Sequence, residues 1–181
     1  MSRLLNELGL KPCIERCPGA IPEPVVEAYR RSLNHWDELL ESWFSGPLSL
    51  LHGDSHLGNF FISGEEMGML DFQAVHWGKG IRDVQYFLID SVPADILAKN
   101  ETQWVKYYVE RRAVHGAGID FEATWQEYRG FTYHTLMTIV VSIGFGALND
   151  EQAVLMEEIL RRAVAAIERV DYAGWLEASL A

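Results

Sequence analysis

Residues 52–59 read His52-Gly53-Asp54-Ser55-His56-Leu57-Gly58-Asn59, and Asp71-Phe72 follows with Asp71 twelve positions after Asn59. Two carboxylates and an amide in this order suit phosphoryl transfer from a nucleoside triphosphate. One carboxylate has to orient the attacking hydroxyl and take its proton, and Asp54 stands where that base belongs. The amide oxygen of Asn59 and the carboxylate of Asp71 are hard donors of the kind that hold Mg²⁺. A metal there bridges phosphate oxygens and neutralises the charge that moves with the phosphoryl group. The same residues allow another chemistry, because His52, Asp54 and His56 on a strand would point one way as ligands of a metal-dependent hydrolase. Leu57-Gly58-Asn59 and Asp71-Phe72-Gln73 have no role in that scheme.

The stretch resembles the aminoglycoside phosphotransferase and choline kinase superfamily, the small-molecule relatives of protein kinases. Members carry Gly rather than Arg at the second motif position and often read H-G-D-x-H-x-G-N, which Gly53, His56 and Gly58 match. Phe72-Gln73, then Gly80-Ile81-Arg82-Asp83-Val84-Gln85-Tyr86-Phe87-Leu88, is most similar to the ecdysteroid-kinase-like branch and its bacterial homologues. The close match covers Leu48 to Leu88. The resemblance implies ATP and Mg²⁺ as cofactors, a small-molecule hydroxyl as acceptor, Asp54 as catalytic base, and Asn59 and Asp71 as metal ligands. It also implies that His52 supports the loop by hydrogen bonding and that Asp83 braces it. His56 is expected either to touch substrate or phosphate or to hold the loop, and Gln73 to make a local contact. The acceptor stays open among aminoglycosides, choline-like amines, sugars, sterols and other alcohols.

These motifs need elements to hold them. Residues 1–21 read as a turn-rich lead-in. A helix is expected from Pro24 to Phe44, since Val25, Tyr29, Leu33, Trp36, Leu40 and Trp43 recur at spacings of three and four, and Ser45-Gly46-Pro47 ends it. Residues 48–51 read as a short strand entering the catalytic loop. Residues 60–62 and 67–70 read as a hairpin turning at residues 63–66, which brings Asn59 and Asp71 to its open end. Helices are expected near residues 84–90, 102–115, 121–147 and 152–170. In the last, Met156, Leu160, Ala163, Ile167 and Val170 form the core stripe, with Asn149 and Gln152 capping its start. The expected architecture is mainly α with a small β-hairpin, an α+β arrangement resembling the C-terminal lobe of a protein-kinase-like fold. It forms one lobe over residues 1–181: lead-in and first helix at 1–47, catalytic and metal loops at 48–90, and a helical substrate-side region at 91–181.

Composition bounds the reading. The 181 residues fit one domain, and 49% hydrophobic with 23% charged residues describes a folded chain. A formal net charge of −11 argues against nucleic acid or anionic lipid as partners. Cys13 and Cys17 are the only cysteines and read as ordinary reduced thiols. Gly130–Asn149 has no Asp, Glu, Lys or Arg, yet its hydroxyls and glycines predict a helix buried in the lobe, not a membrane span. The first residues lack an apolar core and a cleavage site, so a cytoplasmic location is expected. Trp77, Trp125, Tyr128, Tyr133 and His134 could line a pocket, but core packing is expected for most.

A kinase-like enzyme also needs an N-terminal lobe with a loop over the phosphates and a phosphate-binding lysine. Only 51 residues precede His52, and Lys11 is the only lysine before Lys79, so that ATP-grip lobe is expected to be absent from this chain. Two readings therefore stand side by side. One is a phosphotransferase represented by its catalytic lobe, with a partner chain as one source of the missing lobe. The other is a catalytically silent binding module or subunit of a split kinase.

Overall fold

Residues 121–145 explain the architecture, because side chains around the whole circumference of this helix are apolar or uncharged from Gly130 onward. A helix apolar all round has no face to offer water and becomes a core element. In the computed structural model, which describes residues 2–180, helix α6 (Phe121–Phe145) is that element, started by the Asp120 carboxylate accepting from the Ala123 amide at 2.8 Å. Around it lie α1 (Arg3–Arg16), α2 (Glu23–Asn34), α3 (Trp36–Phe44), α4 (Ile81–Ser91), α5 (Ala94–Val114), α7 (Asp150–Arg169) and α8 (Tyr172–Ser179). Leu136, Ile139, Val140 and Ile143 are buried as expected. Among the described residues no helix is long and apolar enough to cross a membrane.

Among the described residues, four short strands complete the fold, which is mainly helical. Strand β1 (Ser49–Leu51) pairs antiparallel with β4 (His76–Gly78), Leu50 opposite Trp77. Between them, β2 (Phe60–Ser63) and β3 (Glu66–Met69) form the expected hairpin, with Phe60 opposite Met69. The catalytic loop joins β1 to β2 and the Asp71 loop joins β3 to β4, so both loops leave the same nested pair of ribbons. Strand β4 was not expected from its sequence, where Trp77 is exposed and only three residues pair.

Several boundaries differ from the sequence reading. The lead-in is mostly helix α1, capped by Ser2 accepting from the Leu5 amide and continuing through Pro12. Helix α1 is held by packing: an added Cβ on Gly144 of α6 would stand 2.6 Å from the Gly9 carbonyl oxygen. Only two glycines let the backbones approach this closely, and no apolar period records it. Arg16 then caps the end of α6, donating to the carbonyls of Ile143 and Gly146. The expected 24–44 helix breaks at His35, whose amide is shared between the carbonyls of Arg31 and Ser32 at 3.2 Å each. The buried stripe nevertheless continues through Val25, Tyr29, Leu33, Trp36 and Trp43.

Helix α5 begins at Ala94 after Pro93, well before the expected start at Thr102. Its buried stripe is Leu97, Glu101 and Val105, and the acid in the middle hid the pattern. Glu101 is acceptable there because Arg169 grips it through two bonds of 2.7 and 2.8 Å and Tyr128 donates to it at 2.5 Å. Asn149 and Gln152 form the expected capping box at the start of α7. The short α8 was not foreseen. Cys13 and Cys17 are buried free thiols, Cys13 inside α1 and Cys17 in the bend just past its end. Burial pushes the Cys13 thiol up to about 12 and raises that of Cys17, so neither is a ready nucleophile.

The glycine crossing gives a stability test. Gly144→Ala should force α1 away from α6 and lower unfolding stability by about 1–3 kcal/mol, the usual range for overpacking. Urea denaturation of the two proteins measures the difference; an unchanged midpoint would show that the crossing has slack.

Candidate active site

The catalytic loop begins as β1 ends, and its first turn is possible only because residue 53 is glycine. Gly53 has φ +84°, and a Cβ there would collide with the Ala74 carbonyl. The loop is then tied from below by α4. The Asp83 carboxylate accepts from the His52 amide at 2.7 Å and from the Gly53 amide at 3.2 Å. One turn of chain further, the Ser55 hydroxyl donates to the Asp83 carbonyl at 2.7 Å. Arg82 adds a bond from Nη2 to the Gly53 carbonyl at 3.3 Å.

His52 is buried and its ring is fully used. Leu70 O lies 2.6 Å from Nε2, while Nδ1 is 3.3 Å from the Asp54 amide and must accept from it. The Nε2 tautomer follows, and neither nitrogen keeps a free lone pair. The hydrolase reading of His52, Asp54 and His56 therefore fails on geometry. His52 also joins the two loops, since Leu70 precedes Asp71 and its amide donates to the Asn59 carbonyl at 2.8 Å.

Asp54 is half-buried. The side-chain amide of Asn59 donates to its carbonyl at 2.8 Å and reaches toward its Oδ2 at 3.4 Å. With the amide nitrogen turned to Asp54, the Asn59 oxygen has no donor among the described residues. Asp71 is exposed and adopts a left-handed backbone, φ 58° and ψ 65°, uncommon for a residue with a side chain and typical of functional loops. Gln73 donates to Asp71 Oδ2 at 3.3 Å. Asn59 and Asp71 thus offer oxygen donors from two loops bonded to each other, a set that suits Mg²⁺ once phosphate oxygens complete the shell. Among the described residues, no group of three or more His, Cys, Asp and Glu is placed to hold a metal by itself.

Asp54 also lines a cavity of about 570 Å³ between α4, α6 and α7. Its polar end holds His56, Tyr86, Asp90 and Ser91, with Arg162 from α7, and its wall is Ile139, Leu155, Met156 and Ile159. Asp71 is not among the residues lining it. His56 Nδ1 accepts from the Gly58 amide, and its Nε2 lies 3.8 Å from Asp54 Oδ2. Burial, with the Asp90 and Asp54 carboxylates nearby, holds the Tyr86 phenol protonated far above its ordinary value, and burial also raises Asp90. Ser91 links this end to the loop by accepting from the Leu57 amide at 2.8 Å and donating to Asp90 at 3.0 Å.

On the other side of the loop, a cavity of about 500 Å³ lies between the two ribbons and α4, lined by Leu50, Phe60, Met67, Phe72, Val84 and Phe87 among others. Sequence reasoning missed Arg82, Tyr86, Asp90 and Arg162. The signal existed for two of them: Asp83, Tyr86 and Asp90 fall at i, i+3 and i+7, on one side of α4. Of the five aromatic positions considered, Tyr128, Tyr133 and His134 are buried, Trp125 is half-buried, and Trp77 stays 64% exposed.

The model of the ecdysteroid kinase-like family matches residues 26–115, a stretch that contains both loops and helix α4. No curated protein matches the chain.

Two measurements follow from the loop's supports. Asp83→Asn replaces one accepting oxygen with a donor that faces the backbone amides, so hydrogen exchange at His52 and Gly53 should accelerate by about tenfold or more. Equal protection in the two proteins would show that the loop holds itself. His134 accepts from Arg82 at 3.0 Å, and burial, then Arg82 and His76, hold its folded pKa well below 6.5. Below pH 6.5 the unfolded chain binds a proton that the folded chain refuses, so stability should fall by about 1.4 kcal/mol per pH unit as pH drops. Denaturation of parent and His134→Gln between pH 7 and 5 checks this: the variant should lack that share of the slope.

Proposed function

We propose that the chain, which belongs to the ecdysteroid kinase-like family of kinase-like phosphotransferases, transfers phosphate from ATP to a hydroxyl of a small molecule. The observation that supports this most is the pairing of Asp54 with Asn59 at the mouth of a cavity large enough for a small alcohol. In this reading Asp54 orients the acceptor hydroxyl and takes its proton at a carboxylate oxygen as the bond to phosphorus forms. Asn59 keeps Asp54 in place through its amide nitrogen, which leaves its oxygen for the metal it would hold. Asn59 and Asp71 would hold Mg²⁺, which would supply charge neutralisation for the triphosphate. The apolar cavity beside Phe72 accommodates the adenine, and the ribbons around it form the face on which a nucleotide-covering lobe rests.

The acceptor's body lies along Ile139, Leu155 and Met156, with its hydroxyl toward Asp54. Catalysis then comes mainly from positioning and from excluding water around the transferring group. In this reading the chain works in the cytoplasm beneath a lobe that covers the nucleotide. A silent binding module is the competing reading, and turnover separates the two.

The test is phosphate release or transfer from ATP with Mg²⁺, by this chain alone and together with an N-terminal lobe in cis or as a second chain. The 181-residue chain alone should bind ATP weakly, since two metal ligands hold a triphosphate poorly without a covering loop and lysine. In whichever form turns over, Asp54→Asn should lower the rate by about 100-fold to 10,000-fold, and chelation of Mg²⁺ should stop it. Full turnover by the Asp54→Asn protein would sink the assignment, as would tight ATP binding without metal.

A further inference from the structure

Asp90 stands in the wall of the Asp54 cavity and has no part in the phosphoryl-transfer chemistry. It follows Tyr86 by one turn of α4, so the two side chains share a face of the helix. The Tyr86 phenol in turn lies near both the Asp90 and the Asp54 carboxylates. Asp90 Oδ1 receives the Ser91 hydroxyl at 3.0 Å. Its Oδ2 has no donor among the described residues and is not among the side-chain atoms shielded from water.

The cations and donors nearby are committed elsewhere. Arg162 gives Nε to Glu158 at 3.0 Å and Nη1 to the Asp90 backbone carbonyl at 2.9 Å. His56 accepts at Nδ1 from the Gly58 amide, and its Nε2 is 3.8 Å from Asp54 Oδ2, too far for a hydrogen bond. Burial raises the Asp90 pKa in spite of Ser91, His56 and Arg162, so the protein leaves this carboxylate's charge under-compensated. The remaining wall is apolar. Ile139 and Ile159 are buried in it, while Leu57 and Leu155 line it and are also exposed, which places them at its mouth.

This wall and this polar end select among alcohols. A sugar would set its hydroxyls against Ile139, Met156 and Ile159, which offer them no partner. A quaternary ammonium has no N–H to give to Oδ2 and is held best by several aromatic faces, whereas the rings here are Tyr86 and His56 alone. A protonated amine next to a hydroxyl supplies both a charge and N–H donors to an ionised acceptor. We propose that the Asp54 cavity takes a long-chain amino alcohol, with its hydroxyl at Asp54, its ammonium at Asp90 Oδ2, and its aliphatic chain along Ile139, Met156 and Ile159 and out between Leu57 and Leu155. This rests on the proposed function only in taking the cavity as the acceptor site, and it makes Asp90 the residue that sets specificity.

The probes are 2-aminooctan-1-ol; octane-1,2-diol, which keeps the chain and exchanges the ammonium for a hydroxyl; and 2-aminoethanol, which keeps the polar end alone. Each is titrated by calorimetry into the full chain without nucleotide at pH 7, where an alkylamine is protonated. The Met156 methyl resonance, assigned with Met156→Leu, is followed in parallel. Aminooctanol should bind and move that resonance, and the diol and aminoethanol should each bind at least about tenfold more weakly. Asp90→Asn should bring aminooctanol down to the affinity of the diol. If that variant does not fold, the order of the three probes and the Met156 resonance in the parent chain decide. Equal binding of aminooctanol and either comparison probe, an amine preference that survives Asp90→Asn, an unmoved Met156 resonance at saturation, or no binding of aminooctanol up to about 5 mM would each overturn the proposal. Asp54-dependent phosphorylation of some other alcohol, without an amine preference, removes this inference and keeps the phosphotransferase. The amine preference without turnover in any form does the reverse.

Discussion

The Asp83 carboxylate is the constraint on which the site depends. A loop that reverses direction between two short strands leaves backbone amides that neither strand can satisfy. Asp83 meets two of them at once, with an ionised acceptor projecting from the first turn of α4. Because its own carbonyl also takes the Ser55 hydroxyl, the loop is fixed to the helix at three points along four residues. Asp54 lies between those points, so its position is inherited from α4. The second loop is inherited in turn, through the bonds that His52 and Asn59 make to Leu70.

That anchorage reaches the centre of the molecule through polar groups held in an apolar interior. Arg82 spans from the Gly53 carbonyl to His134 on α6, and Gln85, completely buried, receives the Thr135 hydroxyl at 2.9 Å. On the far side of α6, Glu101, Arg169 and Tyr128 form a second buried cluster whose members satisfy one another. In a low-dielectric interior such groups tolerate few alternative arrangements, because each displaced partner leaves a charge or dipole unpaired. They set the register of α4, α5 and α7 on α6 more strictly than apolar contacts do. The catalytic loop is therefore backed by a rigid layer, while the apolar cavities on its two sides remain open to ligands.

Much of this was legible in residue order. The hairpin, the stripe on α2 and α3, the uncharged central helix and the capping box were all local patterns. Each depends on a period of two, a period near four, or a cap three residues away, and such patterns need no knowledge of distant chain. Helix α1 was hidden because Gly9 and Pro12 are poor helix formers, and the reason it forms is Gly144 across the core. The early start of α5 was hidden by Glu101, whose charge is acceptable only where Arg169 and Tyr128 arrive.

The candidate site divides the same way. Residue order alone pointed to the set Asp54, Asn59 and Asp71 through side-chain type and spacing, and the family resemblance pointed to Asp83 as a brace, whereas the positive φ that requires glycine at 53 came only from the structure. Tertiary structure alone decided which walls surround them. Arg162 and Met156 come to the Asp54 cavity from α7, and Trp43 and His134 meet Arg82 from helices far apart in the chain. Motifs carry chemistry over a few residues, whereas pockets form where helices cross. The crossings here are set by close backbone contacts and buried polar pairs, which leave no period in the sequence.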